Sequence, residues 1–94
     1  ELEEMTKADI ESLNQIIESY KNILHRGTLK TADEIQMVGQ EREEMLLRKL
    51  DAIQARRKKQ RKPPLLYEDV QDNPLLRDVY EKWEQMQFAE ENVS

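Results

Sequence analysis

The chain contains no cysteine. Disulfides are excluded, and so are zinc sites built on thiolates. The one histidine, His25, cannot hold a metal by itself. Glycine occurs twice and proline three times in 94 residues, so few sharp turns are available. The aromatic residues are only Tyr20, Tyr67, Tyr80, Trp83 and Phe88. An all-β domain needs more turn residues and more β-branched alternation than this. No apolar run reaches the ~18 residues that a membrane-spanning helix needs. No signal-peptide pattern opens the chain. Its first residue is Glu, so it reads as a segment excised from a longer protein.

Motifs that carry chemistry are also missing. Gly27 and Gly39 stand alone, so no glycine-rich phosphate loop is present. Neither a metalloprotease nor an EF-hand pattern appears. The adjacent acids Glu3-Glu4 and Glu43-Glu44 diverge by about 100° on a helix, so they read as solvated faces and not as paired catalytic carboxylates. Glu44 and Arg48 form an ordinary surface pair four residues apart. No nucleophile and base can be assembled around His25. The expectation is a non-enzymatic chain without cofactor or metal.

What is present is charge and helical spacing. Apolar residues make up 37% and charged residues also 37%, a balance that suits amphipathic helices better than a thick core. The net charge of −5 hides three blocks. Residues 1–55 hold 12 acids and 7 bases, residues 56–62 hold 6 bases, and residues 63–94 hold 8 acids and 2 bases.

Apolar residues recur at Ile10, Leu13, Ile17, Tyr20 and Leu24, steps of three and four that make a heptad seam. Ile16 and Ile23 widen it. Thr6 is placed to cap this helix, and His25-Arg26-Gly27 to end it. Leu2 and Met5 can extend it backwards. Thr28-Leu29-Lys30 is a short link. Thr31 and Glu34 form a capping box for the next helix. Its seam is Ile35, Val38, Arg42, Met45 or Leu46, Leu50 and Ile53, with a slip near Met45-Leu46-Leu47. Gly39 lies mid-helix, either as a tolerated imperfection or where another backbone comes close. Pro63-Pro64 stops the helix. Leu65-Leu66-Tyr67-Glu68-Asp69-Val70 is an extended or one-turn crossover. Asn73-Pro74 restarts a helix that carries Leu76, Val79, Trp83 and Met86 on one stripe, flanked by Leu75 and Tyr80.

The fold class expected is all-α: an antiparallel, coiled-coil-like helical hairpin with a third, shorter helix folding back. Residues 1–5 are a frayed terminus or helix extension, and residues 6–62 the hairpin, with helices near 6–26 and 31–61. Residues 63–74 form the Pro-rich crossover, 75–89 the third helix and 90–94 a tail.

The run Arg56, Arg57, Lys58, Lys59, Gln60, Arg61, Lys62 has three readings. It is a solvated helix end, an import signal whose Lys and Arg stems fit a receptor's acidic pockets, or a grip on nucleic acid or another anionic surface. No aromatic residue interleaves it, so base stacking lacks support.

Partner-binding candidates are Tyr80, Trp83, Phe88, Leu66 and Tyr67, since Trp and Tyr dominate interface hot spots. Among them Trp83 is expected in the core, with Tyr80 and Phe88 at the surface. The function expected is a helical protein–protein interaction module, nuclear or cytoplasmic, from a larger scaffold or complex subunit. Its partner is another protein's helix or a second copy of the chain. Nucleic-acid binding and homodimerisation are the alternatives, and an import receptor is a further partner. No membrane span is expected.

Overall fold

The structure is a computed structural model that describes residues 2–27 and 31–93. The link at Thr28-Leu29-Lys30 and the end residues Glu1 and Ser94 lie outside these. Helix α1 spans Leu2–His25, α2 Ala32–Lys59, α3 Tyr67–Val70 and α4 Pro74–Val93. Among the described residues there is no strand. The fold is all-α, an antiparallel hairpin of α1 and α2 with α4 packed on α2. No helix is long and apolar enough to cross a membrane among the described residues. The chain divides into two compact units, Glu1–Leu46 and Leu47–Ser94, and the boundary falls inside α2.

The first unit holds α1 and the first half of α2. On the α1 seam, Leu13 is fully buried. Ile10, Ile16, Ile17, Tyr20 and Leu24 are half-buried, and Ile23 is exposed. The Tyr20 hydroxyl donates to the Glu41 carboxylate, a contact between the two antiparallel helices. Helix α1 begins at Leu2 with Glu3 and Glu4 in its first turn, where acids suit the positive end of the macrodipole. Thr6, read as its cap, is therefore an interior residue. After His25 the chain turns at Gly27, whose φ is +69°. That is the left-handed conformation in which glycine commonly ends helices.

Helix α2 is capped as its sequence indicates. Thr31 Oγ1 accepts from the Glu34 amide at 3.1 Å. The slip in its seam resolves toward Leu46, which is fully buried, while Met45 is 41% exposed. A Cβ at Gly39 would meet nothing within 4 Å among the described residues, so no close backbone approach explains it.

The end of α2 is a Schellman turn built without glycine. Lys62 N donates to Arg57 O at 2.8 Å and Arg61 N to Lys58 O at 3.1 Å. These are the two bonds that define the motif. Arg61 takes the left-handed position at φ 58°, which glycine normally fills. Pro63-Pro64 follows at once and prevents the helix from continuing.

The second unit packs the rest of α2, the crossover, α3 and α4. Its buried apolar residues include Leu50, Ile53, Leu65, Val70, Leu76, Val79 and Tyr80. Asp69 reaches back to accept from the Leu66 amide at 2.8 Å and fixes the start of α3. Asn73 Oδ1 accepts from the amides of Leu75 and Leu76 at 3.1 and 3.4 Å, with Pro74 at the first helical position. Helix α4 continues to Val93, past the end near residue 89 read from the sequence. No proline or glycine stands in the way.

Candidate functional site

The second unit buries one residue of the crossover, Leu65, together with its main-chain polar groups. Leu65 is fully buried in the crossover, so its backbone amide and carbonyl are cut off from water. Leaving such groups unpaired costs roughly 1–3 kcal/mol each. Gln54 satisfies both. Its Nε2 donates to Leu65 O at 2.9 Å and its Oε1 accepts from Leu65 N at 2.9 Å. The Tyr80 hydroxyl donates to the same carbonyl at 2.9 Å. Among the described residues every buried side-chain polar atom has a partner.

This arrangement places the aromatic candidates. Tyr80, expected at the surface, is only 7% exposed because its hydroxyl is drawn inward to Leu65. Burial pushes that hydroxyl above its usual range, aided by the negative charges of Glu84 and Asp69. Tyr67 is half-buried and meets Tyr80 edge-on, with ring centroids 6.0 Å apart. Trp83, expected in the core, is half-buried. It tilts against Tyr80 at 5.7 Å, and its Nε1 donates to Asp51 at 3.0 Å. Leu66 is 53% exposed, and Phe88 69%. Met86 is also open, at 47%. Packing on α4 thus covers its first half, and its large apolar residues are open beyond Trp83.

The basic run is divided by the fold. Arg57 is 2% exposed, and its Nη1 donates to Pro63 O at 3.1 Å. It stands seven residues after Leu50 and continues the buried stripe of Leu46, Leu50 and Ile53. Arg56, Lys58, Lys59, Arg61 and Lys62 are all exposed. The exposed cations of the run are therefore these five residues, at the last turn of α2 and the bend after it.

Between α2 and α4, inside the second unit, lies an open groove of about 430 Å³. Ala55, Pro64 and Trp83 give it an apolar floor, and Gln54 and Gln87 contribute amides. Lys58 and Lys62 line one end and Asp51 the other. A shallower hollow over Trp83, Gln87 and Phe88 continues it along α4. Trp83, Phe88 and the lysines are candidates in the sequence separately, and the groove joins Trp83 with Lys58 and Lys62. The spacing of Asp51, Gln54, Ala55 and Lys58 puts them on one face of α2, and that signal was available. The pairing of this face with Trp83 and Gln87 depends on how the crossover brings α4 back.

In the first unit, partial burial raises the Tyr20 hydroxyl above its usual range, and the facing Glu41 carboxylate adds to the effect. Ile35 and Met37, at 50% and 67% exposure, leave apolar surface on the first turns of α2. No three acids or histidines come together to hold a metal ion among the described residues. No family model, curated protein or solved structure matches the chain.

Proposed function

We propose that the chain is a non-enzymatic helical interaction module of a larger assembly. The observation that carries this reading is the open apolar end of α4. Phe88 is 69% and Met86 47% exposed, next to a half-buried Trp83. Met86 stands three residues after Trp83 on its side of α4, and Phe88 opens on the shallow hollow that it lines with Trp83 and Gln87. Exposed large apolar side chains of this kind are what partner recognition uses. The charged faces on either side set register and partner choice.

The test is site-specific photo-crosslinking in cells, with the reactive group at position 88 and, as a control, at Glu11 on the exposed face of α1. The reading expects a discrete heterologous adduct from position 88 and none from position 11. An adduct only with a second copy would turn it into self-association. No adduct from either position would end it.

A second reading uses the five exposed cations, Arg56, Lys58, Lys59, Arg61 and Lys62, to hold a polyanion. Duplex DNA binding would then fall with salt at a log–log slope of roughly −0.9 for each phosphate neutralised. Equal affinity after all five are changed to Ala would reject it. Residence in the nucleus belongs with this part of the chain, since the same cations would serve an import receptor. Transfer of a reporter to the nucleus by residues 56–64, lost on Lys58→Ala and Lys59→Ala, tests that.

A further inference from the structure

The groove beside Trp83 says more than that some partner is bound. We infer that it receives an acidic amphipathic helix of a partner protein, with an apolar side chain on Trp83 and Pro64 and carboxylates at Lys58 and Lys62. This deepens the interaction-module reading and rests on it.

Three features favour this occupant. The first is shape. The groove runs along α2 from Asp51 toward Lys58, about 10 Å at the helical rise, with α4 as its other wall. A trough between two helices suits the apolar edge of a third. The second feature is the chemistry of the floor. The indole N–H of Trp83 is already given to Asp51, so the ring offers an incoming group its apolar surface. Gln54 likewise has both ends of its amide engaged with Leu65. Ala55 and Pro64 add no donor. Gln87 adds an amide, and the rest of the centre of the groove offers an incoming side chain apolar surface.

The third feature is charge. Lys58 and Lys62 line one end, and the exposed Lys59 and Arg61 stand beside them in the chain. Charge complementarity of this kind fixes orientation and excludes partners of the wrong sign. Asp51 gives the groove a polarity, so the carboxylates of the guest lie toward the Lys62 end. A nucleic acid fits less well. Only one aromatic ring lines the groove, and the Asp51 carboxylate beside it opposes a phosphate chain.

Trp83 is the only tryptophan of the chain, so its fluorescence reports on the groove and on the hollow that continues it. The experiment selects a random peptide library against the full chain, then titrates enriched peptides that lack tryptophan while Trp83 emission is followed. The expected peptides are net acidic, with apolar residues three and four apart. They shift Trp83 emission and bind roughly tenfold or more weakly to the variant carrying Lys58→Glu and Lys62→Glu. Both lysines are exposed, and circular dichroism and the melting profile check that the variant remains folded. A reciprocal peptide, with its acids changed to Lys, should recover binding to the variant.

Enrichment of basic or uncharged peptides overturns the inference, as does no enrichment. Binding that leaves Trp83 emission and the charge-reversed variant unchanged places the site elsewhere. The inference then falls while the interaction-module reading stands. A short DNA duplex that moves Trp83 emission at lower concentration than the acidic peptides also overturns it. So does occupation of the groove by a second copy, seen as a concentration-dependent emission shift of the chain alone. Failure of the broader reading is seen separately, as the absence of any heterologous crosslink from position 88.

Discussion

Gln54 is polar at a position that the fold buries, 6% exposed in the midst of Leu50, Ile53 and Arg57. Its side-chain amide pairs with the main-chain N–H and C=O of Leu65, which belong to two successive peptide units. Gln54→Leu keeps most of the volume and removes both bonds, which leaves the buried Leu65 N–H without an acceptor. The expected loss is about 2–3 kcal/mol of unfolding free energy, read by denaturant titration. Gln54→Ala adds a cavity and should lose more. A Gln54→Leu variant as stable as the original would show that Leu65 finds other partners, and the clamp would lose its structural role. Arg57 makes a related point three residues on. Its neighbours Lys58 and Lys59 are exposed, so Ala there should change stability by less than about 0.5 kcal/mol. Arg57→Ala removes a buried side chain and its bond to Pro63, and should cost about 2 kcal/mol or more. Equal effects at all three positions would mean that the run behaves as one solvated block.

At the scale of elements, backbone chemistry sets the helix ends, and two of its choices can be improved. Gly39 lies inside α2 with open space where a Cβ would stand. Gly39→Ala should stabilise by up to about 1 kcal/mol. Arg61 holds a left-handed φ of 58° in the turn that ends α2. Arg61→Gly should also stabilise, again by about 1 kcal/mol, since glycine meets no Cβ penalty there. Thermal melts of the two single variants and the pair check both, and the effects should add because the sites are far apart in sequence and share no partner. A lower melting temperature for Gly39→Ala would indicate that a neighbour does approach that position in solution.

These same ends show what a single sequence can reveal. Thr31, Asn73-Pro74 and Pro63-Pro64 act through their own backbone neighbours, so their roles were legible. Thr6 lies inside α1 and does not cap it, because a residue suited to capping permits a helix start without requiring one. Nothing before it breaks a helix, and α1 runs back to Leu2. The burial of Arg57 follows from counting the stripe onward from Leu50, but a run of six cations hides the count. Tyr80 is buried and Trp83 only half-buried because the deciding contacts, to Leu65 O and Asp51, come from residues 15 and 32 positions away. No local spacing contains that information. The groove was invisible for the same reason.

At the scale of the whole molecule, burial is unevenly shared. Among the described residues, α1 has Leu13 as its one fully buried apolar side chain, with Asp9 the other buried residue. Among the described residues, the unit Leu47–Ser94 buries seven apolar side chains, and Leu65 is held by three hydrogen bonds. Local opening free energy follows buried contacts and shielded backbone bonds. Amide hydrogen exchange should therefore be slowest at Ile53–Arg57, at Leu65 and at Leu76–Tyr80. It should be about tenfold or more faster over Glu18–His25, where most residues are exposed. Protection of α1 equal to that of the second unit, at low protein concentration, would refute this gradient. The concentration dependence then carries a functional consequence. If α1 and the first turns of α2 gain protection as the chain is concentrated, the exposed Ile23, Ile35 and Met37 are used between copies. Ile35→Glu and Met37→Glu should abolish that gain and the matching rise in sedimentation-equilibrium mass. If protection there does not depend on concentration, this seam remains available to a different chain. The stable unit would then act as the platform that presents Trp83 and Phe88, and the looser hairpin would be the part that a partner orders.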